Sequence, residues 1–150
     1  MTLFTFGREH EKRCEAAYVN RSAKAHLLMN VVDSVHDLIE GKSDLEQLKA
    51  ALVRAIVEGD NAVYVNAEKW LRKASAEYPS LLSIWHELAA HSNARIRARV
   101  AAALDQMPEP HAGEISEQLS NDKSKIVRSA VAAALDWRPV RARKLTTYSS

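Results

Sequence analysis

At 150 residues, 47% hydrophobic and 27% charged with a formal net charge of +2, the chain has the length and balance of one globular domain able to bury its own core. Four glycines are too few for a fold of Gly-rich hairpins or phosphate-cradling loops, and the single Cys14 excludes an intramolecular disulfide and a thiolate zinc cluster. No stretch reaches the roughly 18 apolar residues of a membrane span, and Met1 to Gly7 lacks the basic-then-apolar layout of a secretory signal, so a reducing, cytoplasmic setting is expected.

Helix starts and stops are marked along the whole chain. After Gly7, residues 8–20 read as a first helix with Cys14, Ala17 and Tyr18 as its apolar side. Residues 22–40 read as a second, in which Ala25, Leu28, Val32, Val35 and Ile39 recur at steps of three and four and make one buried stripe. Gly41 stands where a helix C-terminal glycine belongs. Ser43-Asp44-Leu45-Glu46 has the capping-box pattern, and the helix it opens carries Leu45, Leu48, Leu52 and Ile56 as far as Gly59. Asp60 is placed to cap a helix over 61–77 with Val63, Ala67, Trp70, Leu71 and Ala74 inward, closed by Pro79.

From Ser80 the pattern repeats. Residues 86–108 and 117–139 align at an offset of 31 without a gap and agree at nine of 23 positions, among them Leu88/Leu119, Arg97/Arg128, Val100/Val131, an Ala triplet, Leu104/Leu135 and Asp105/Asp136. Self-similarity at a period of 20–50 residues signals stacked helix pairs. The clearest units are 80–108 and 111–139. Each reads as a helix A (81–91 and 112–120), a polar turn, and a helix B (94–106 and 125–137). Ile96, Val100 and Leu104, and their counterparts Val127, Val131 and Leu135, are expected to line the inner side of the two B helices. Residues 1–138 are therefore expected to form a single helical-repeat domain, and 139–150 a basic tail.

The stretch from Asp122 to Leu135, DKSKIVRSAVAAAL, resembles the second half of a HEAT repeat: an aspartate at the inter-helix turn, a hydrophobic-Arg pair six residues later, then small residues and a leucine. Asp122 and Arg128 match that pattern. The first unit keeps Arg97 but carries His91 where the aspartate would stand. The resemblance implies an all-α fold, a short α-solenoid of HEAT-like antiparallel helix hairpins in which Asp and Arg side chains brace neighbouring units. Such proteins bind other proteins, and in some cases nucleic acid, on an extended helical surface. Small bacterial members include immunity proteins that neutralise toxins and DNA-glycosylase-like proteins.

Catalytic and metal chemistry needs particular residue types at particular spacings. His86-Glu87-Leu88-Ala89-Ala90-His91 is near the zinc-protease signature, but that signature needs two His four apart to face one ion. A spacing of five turns the second ring about 100° further round the helix. The other histidines, His10, His26, His36 and His111, show no ligand spacing with carboxylates and read as surface or helix-end residues. Neither a Gly-x-Ser-x-Gly elbow nor a Walker loop is present. No enzyme activity, cofactor or metal is expected.

Charge supplies the functional expectation. Residues 1–85 hold 11 basic and 12 acidic groups, whereas residues 123–150 hold seven basic groups against Asp136 alone. Such a basic end suits an acidic partner or a phosphate backbone, and exposed Trp and Arg are favoured interface anchors. The expected partner-binding residues are Arg95, Arg99, Lys125, Arg128, Trp137 and Arg141, with Arg97 reserved for the brace. A protein partner, in the most concrete form a toxin domain neutralised by an immunity or antitoxin-like protein, is the first reading. A nucleic-acid backbone binder of the DNA-repair type and an adaptor in a larger complex are the alternatives.

Overall fold

In a computed structural model, which describes residues 6–136, all regular structure of the described residues is helical and none is strand. Contacts divide the chain into two compact units with the boundary between Leu81 and Leu82.

The first unit holds α1 (Arg8–Tyr18), α2 (Ala25–Ile39), α3 (Leu45–Glu58) and α4 (Asn61–Glu77). α2 is its centre, packing against α1, α3 and α4. Leu28, Val32 and Val35 are buried as the stripe predicts, joined by Leu27 and Val31, while Ile39 at the helix end is 46% exposed. Gly41 adopts φ 75°, the left-handed conformation that a Cβ disfavours. It lets Lys42 N–H donate to Asp37 C=O and Gly41 N–H donate to Leu38 C=O, the paired bonds that close a helix C-terminus.

The cap of α3 lies one residue later than the capping-box pattern predicts. Asp44, not Ser43, is the cap, and its carboxylate accepts from Gln47 N–H at 3.0 Å. A carboxylate competes well here because its charge also meets the positive end of the helix dipole. Asp60 caps α4 as expected, accepting from Val63 N–H at 3.1 Å. Gly59 between these helices has no room for a side chain, since a Cβ would lie 2.3 Å from Ala55 O.

α1 reverses its predicted orientation. Cys14, Ala17 and Tyr18 face outward, and Glu11 and Glu15 are the buried residues. Three weakly apolar side chains bury little surface, whereas α2 and α4 offer α1 a line of ionic partners. Arg8 meets Asp37 at 2.6 Å and Glu40 at 3.2 Å, Lys12 meets Asp33 at 3.1 Å, and Lys69 of α4 meets Glu15 at 2.6 Å. His36, expected at the surface, is buried on this seam with its Nε2 3.4 Å from Glu11.

The second unit is entered through a short 3-10 helix, Pro79–Leu82, and contains α5 (Ser83–Ala89), α6 (Ala94–Ala102) and α7 (His111–Ser120), followed by α8, helical over residues 125–136. α5 packs against α6 and α7, and α6 against α7. Ile96, Val100, Leu104, Val127 and Val131 are all buried as the repeat predicts, but Leu135 is 40% exposed and Ala134 takes the inner position. The two aligned segments Ala101–Asp105 and Ala132–Asp136 differ in conformation. α6 stops at Ala102, and a 3-10 turn, Leu104–Gln106, follows, whereas residues 132–136 continue as α-helix. The 3-10 turn packs on α7, which buries Leu104 and Met107. No helix of the described residues is long and apolar enough to cross a membrane.

Candidate cationic interface

α6 starts at a turn held by its own side chains. Asn93 N–H donates to His91 Nδ1 at 3.0 Å, and the Asn93 side-chain oxygen accepts from Arg95 N–H at 2.9 Å. Two residues apart, and so on roughly opposite sides of the helix, Arg95 is exposed and Arg97 is buried.

Arg97 is 7% exposed and almost fully engaged. Its Nε donates to Asp122 Oδ2 at 2.7 Å and its Nη2 to Asp122 Oδ1 at 3.1 Å, a bidentate pair. Nη1 donates to the carbonyls of His91 and Ser92 at 2.9 and 3.1 Å. The aligned Arg128 repeats part of this geometry, its Nη1 donating to the carbonyl of Asp122, six residues earlier, at 2.7 Å. Asp122 also accepts from Ser124 N–H at 2.8 Å, so one aspartate ties the start of α6 to the turn that opens α8.

This pairing shifts both groups. The Arg97 guanidinium holds the Asp122 carboxyl below its ordinary range, with help from the Ser124 N–H and against the opposing effect of burial. Asp122 in turn raises Arg97. A lowered folded-state pKa stabilises the fold at every pH above the unfolded carboxylate value, and that stability is lost as pH falls through the lowered value. Asp122→Asn should therefore unfold more easily than the parent at pH 7, and the gap between the two urea midpoints should narrow as pH falls below the ordinary carboxylate range. A gap that does not change with pH would show that the charge of Asp122 contributes nothing.

Of the expected interface residues, Arg95 and Lys125 are exposed, Arg99 is half-buried, and Arg128 is exposed but bonded to the Asp122 carbonyl. Trp137 and Arg141 lie outside the described residues. Arg95 and Lys125 stand in the first turns of α6 and α8, with Lys123 exposed in the turn between Asp122 and α8. The brace thus fixes the segments that carry these three cations. Trp70 and Trp85, by contrast, are buried as core aromatics. A groove of about 340 Å³ in the first unit, lined by α2 and α3 residues including Leu27, Asp33, Ala51 and Arg54, contains none of the expected site residues.

A second constellation escaped the spacing rules. His91 belongs to the turn, but His86 of α5 places its Nε2 2.9 Å from Nδ1 of His111, the first residue of α7. Glu114 Oε2 is 3.8 Å from the same His86 nitrogen. The sequence held one signal for this: His111 and Glu114 are three apart, which on a helix puts them on one face. The position of His86 opposite them depends on the packing of α5 on α7. Comparison of the chain with protein-family models, with curated proteins and with solved structures finds no match.

Proposed function

We propose that the protein is a non-enzymatic binding module built of HEAT-like helical hairpins, which docks an acidic protein partner on the cationic edge carrying Arg95, Arg99, Lys123, Lys125 and Arg128. The observation that carries this reading is the placement of Arg95, Lys123 and Lys125 at the N-terminal ends of α6 and α8. A helix macrodipole is positive there, so cations are locally unfavourable and an acidic group is the preferred neighbour. α6 has no acidic residue in its first turn, and the carboxylate of Asp122 is engaged by Arg97. The edge therefore adds side-chain and dipole fields of one sign on segments already held in place, a favourable arrangement for steering an anionic surface. An immunity-type protein that covers an acidic toxin domain is the most concrete form of this function, and the repeat resemblance supports it.

Capture of the partner from the native host, followed by binding kinetics, tests the reading. The double variant Arg95→Glu/Lys125→Glu should lower the association rate constant about tenfold or more at low salt and weaken its salt dependence, with a smaller change in dissociation. Lys24→Glu, an exposed cation of the first unit, should have little effect. If instead no protein is captured and duplex DNA binds at about micromolar affinity or tighter at physiological salt, losing roughly one power of salt per phosphate contact, the protein is a phosphate-backbone binder and the partner-protein reading fails.

A further inference from the structure

We propose that His86 Nε2, His111 Nδ1 and a carboxylate oxygen of Glu114 form a binding site for a divalent late-transition-metal ion of the zinc class, joining α5 to α7. The three donor atoms lie within 4.8 Å of one another. They come from two helices that pack together, with His86 on α5 and both His111 and Glu114 on α7.

The geometry at the centre of the site is specific. Two imidazole nitrogens face each other at 2.9 Å, which requires that one donate a proton to the other. A metal ion in place of that proton accepts both lone pairs and the carboxylate as well. At zinc–nitrogen and zinc–oxygen distances of about 2.0–2.1 Å, tetrahedral ligand atoms stand about 3.3 Å apart. The distances of 2.9 Å and 3.8 Å from His86 Nε2 to its two neighbours lie on either side of that value. The third separation, between His111 and Glu114, is within 4.8 Å, so the set closes by side-chain rotation, and the side chains have the freedom for it: His86 is 35% and Glu114 62% exposed. Two imidazoles and one carboxylate suit Zn²⁺, Co²⁺, Ni²⁺ or Cu²⁺, whereas Ca²⁺ and Mg²⁺ require oxygen-rich sets. Three protein ligands leave a fourth position to solvent.

This site is independent of the cationic edge and is tested without a partner. The full chain, produced without a polyhistidine tag and stripped with a chelator, is titrated with ZnCl₂ by calorimetry and with CoCl₂ by visible absorption. The expected result is one ion per chain at about micromolar affinity or tighter, and the intense visible bands of four-coordinate Co²⁺. His86→Ala and His111→Ala should each weaken Zn²⁺ binding at least about tenfold to a hundredfold, the loss typical even of partners one shell further out, and Glu114→Gln should weaken it to a lesser degree. His26→Ala, on the exposed side of α2, should leave it unchanged. Far-UV circular dichroism confirms that each variant is folded. The proposal is overturned if the parent chain takes up less than one ion at saturation, if a folded His86→Ala/His111→Ala double variant keeps the parent affinity, or if His91→Ala abolishes binding while His111→Ala does not.

Discussion

Replacing Trp70 with alanine should destabilise the first unit by about 3–5 kcal/mol, the usual cost of removing a large aromatic from a packed core. Trp70 is 1% exposed and lies on α4 among the buried residues Ala67, Leu71 and Ala74. α4 packs on both α2 and α3, and truncation of a ring so fully buried would open a cavity that the neighbouring packed side chains fill only in part. Against a total stability of about 5–15 kcal/mol for a domain, the loss is large enough to read from urea denaturation followed by circular dichroism. A change below about 1 kcal/mol would mean that α4 presents a different face to α2 and α3.

The second large effect is a contrast between two residues that the repeat treats as equivalent. Leu104→Ala should cost about 2–5 kcal/mol, as buried leucine truncations do, because Leu104 is 1% exposed in the 3-10 turn that packs on α7. Leu135→Ala should cost about 1 kcal/mol or less, because a side chain that is 40% exposed gives up little burial and leaves no closed cavity. Equal losses at the two positions would show that α6 and α8 present the same face, as the 31-residue offset alone predicts.

The apolar periodicity of α2, α3, α4 and the B helices was legible because it depends on side chains whose preference for burial is the same in any context. The caps were legible for the same reason: Gly41 and Asp60 act within one turn of chain, and their partners are set by covalent distance. Asp44 in place of Ser43 is a local competition between two adjacent acceptors, and it moved the start of the helix pattern by a single residue. α1 was not legible. Its inward face is Glu11 and Glu15, and residues of that type are buried only when partners are supplied from elsewhere in the chain. Those partners, His36 and Lys69, are 25 and 54 positions away, and no hydrophobicity rule weighs them.

The candidate sites divide in the same way. Its place in the repeat marks Arg97 as a brace, and in the structure it bonds Asp122 bidentately, a partner 25 residues away that the sequence did not single out for it. The cationic character of the second unit was visible in the count of lysines and arginines. Helical spacing also separates Arg97 from Arg95 and Arg99, but that Arg99 is half-buried while Arg95 is exposed depends on the neighbouring elements. In sequence the histidine nearest His86 is His91, five residues on, whereas in the structure the imidazole that meets it is that of His111, 25 residues on.

By itself, then, the sequence determined that this chain is helical, where most of its helices begin and end, and most of the large apolar side chains that form the cores, since these follow from interactions within a few residues or from hydrophobic burial that is indifferent to the identity of the partner. Only the tertiary structure decided the face of α1, the unequal conformations of Ala101–Asp105 and Ala132–Asp136, and the meeting of His86 with His111 and Glu114. Ion pairs, 3-10 turns and converging ligands each depend on a particular partner at a particular distance, and that distance exists only once the helices have packed.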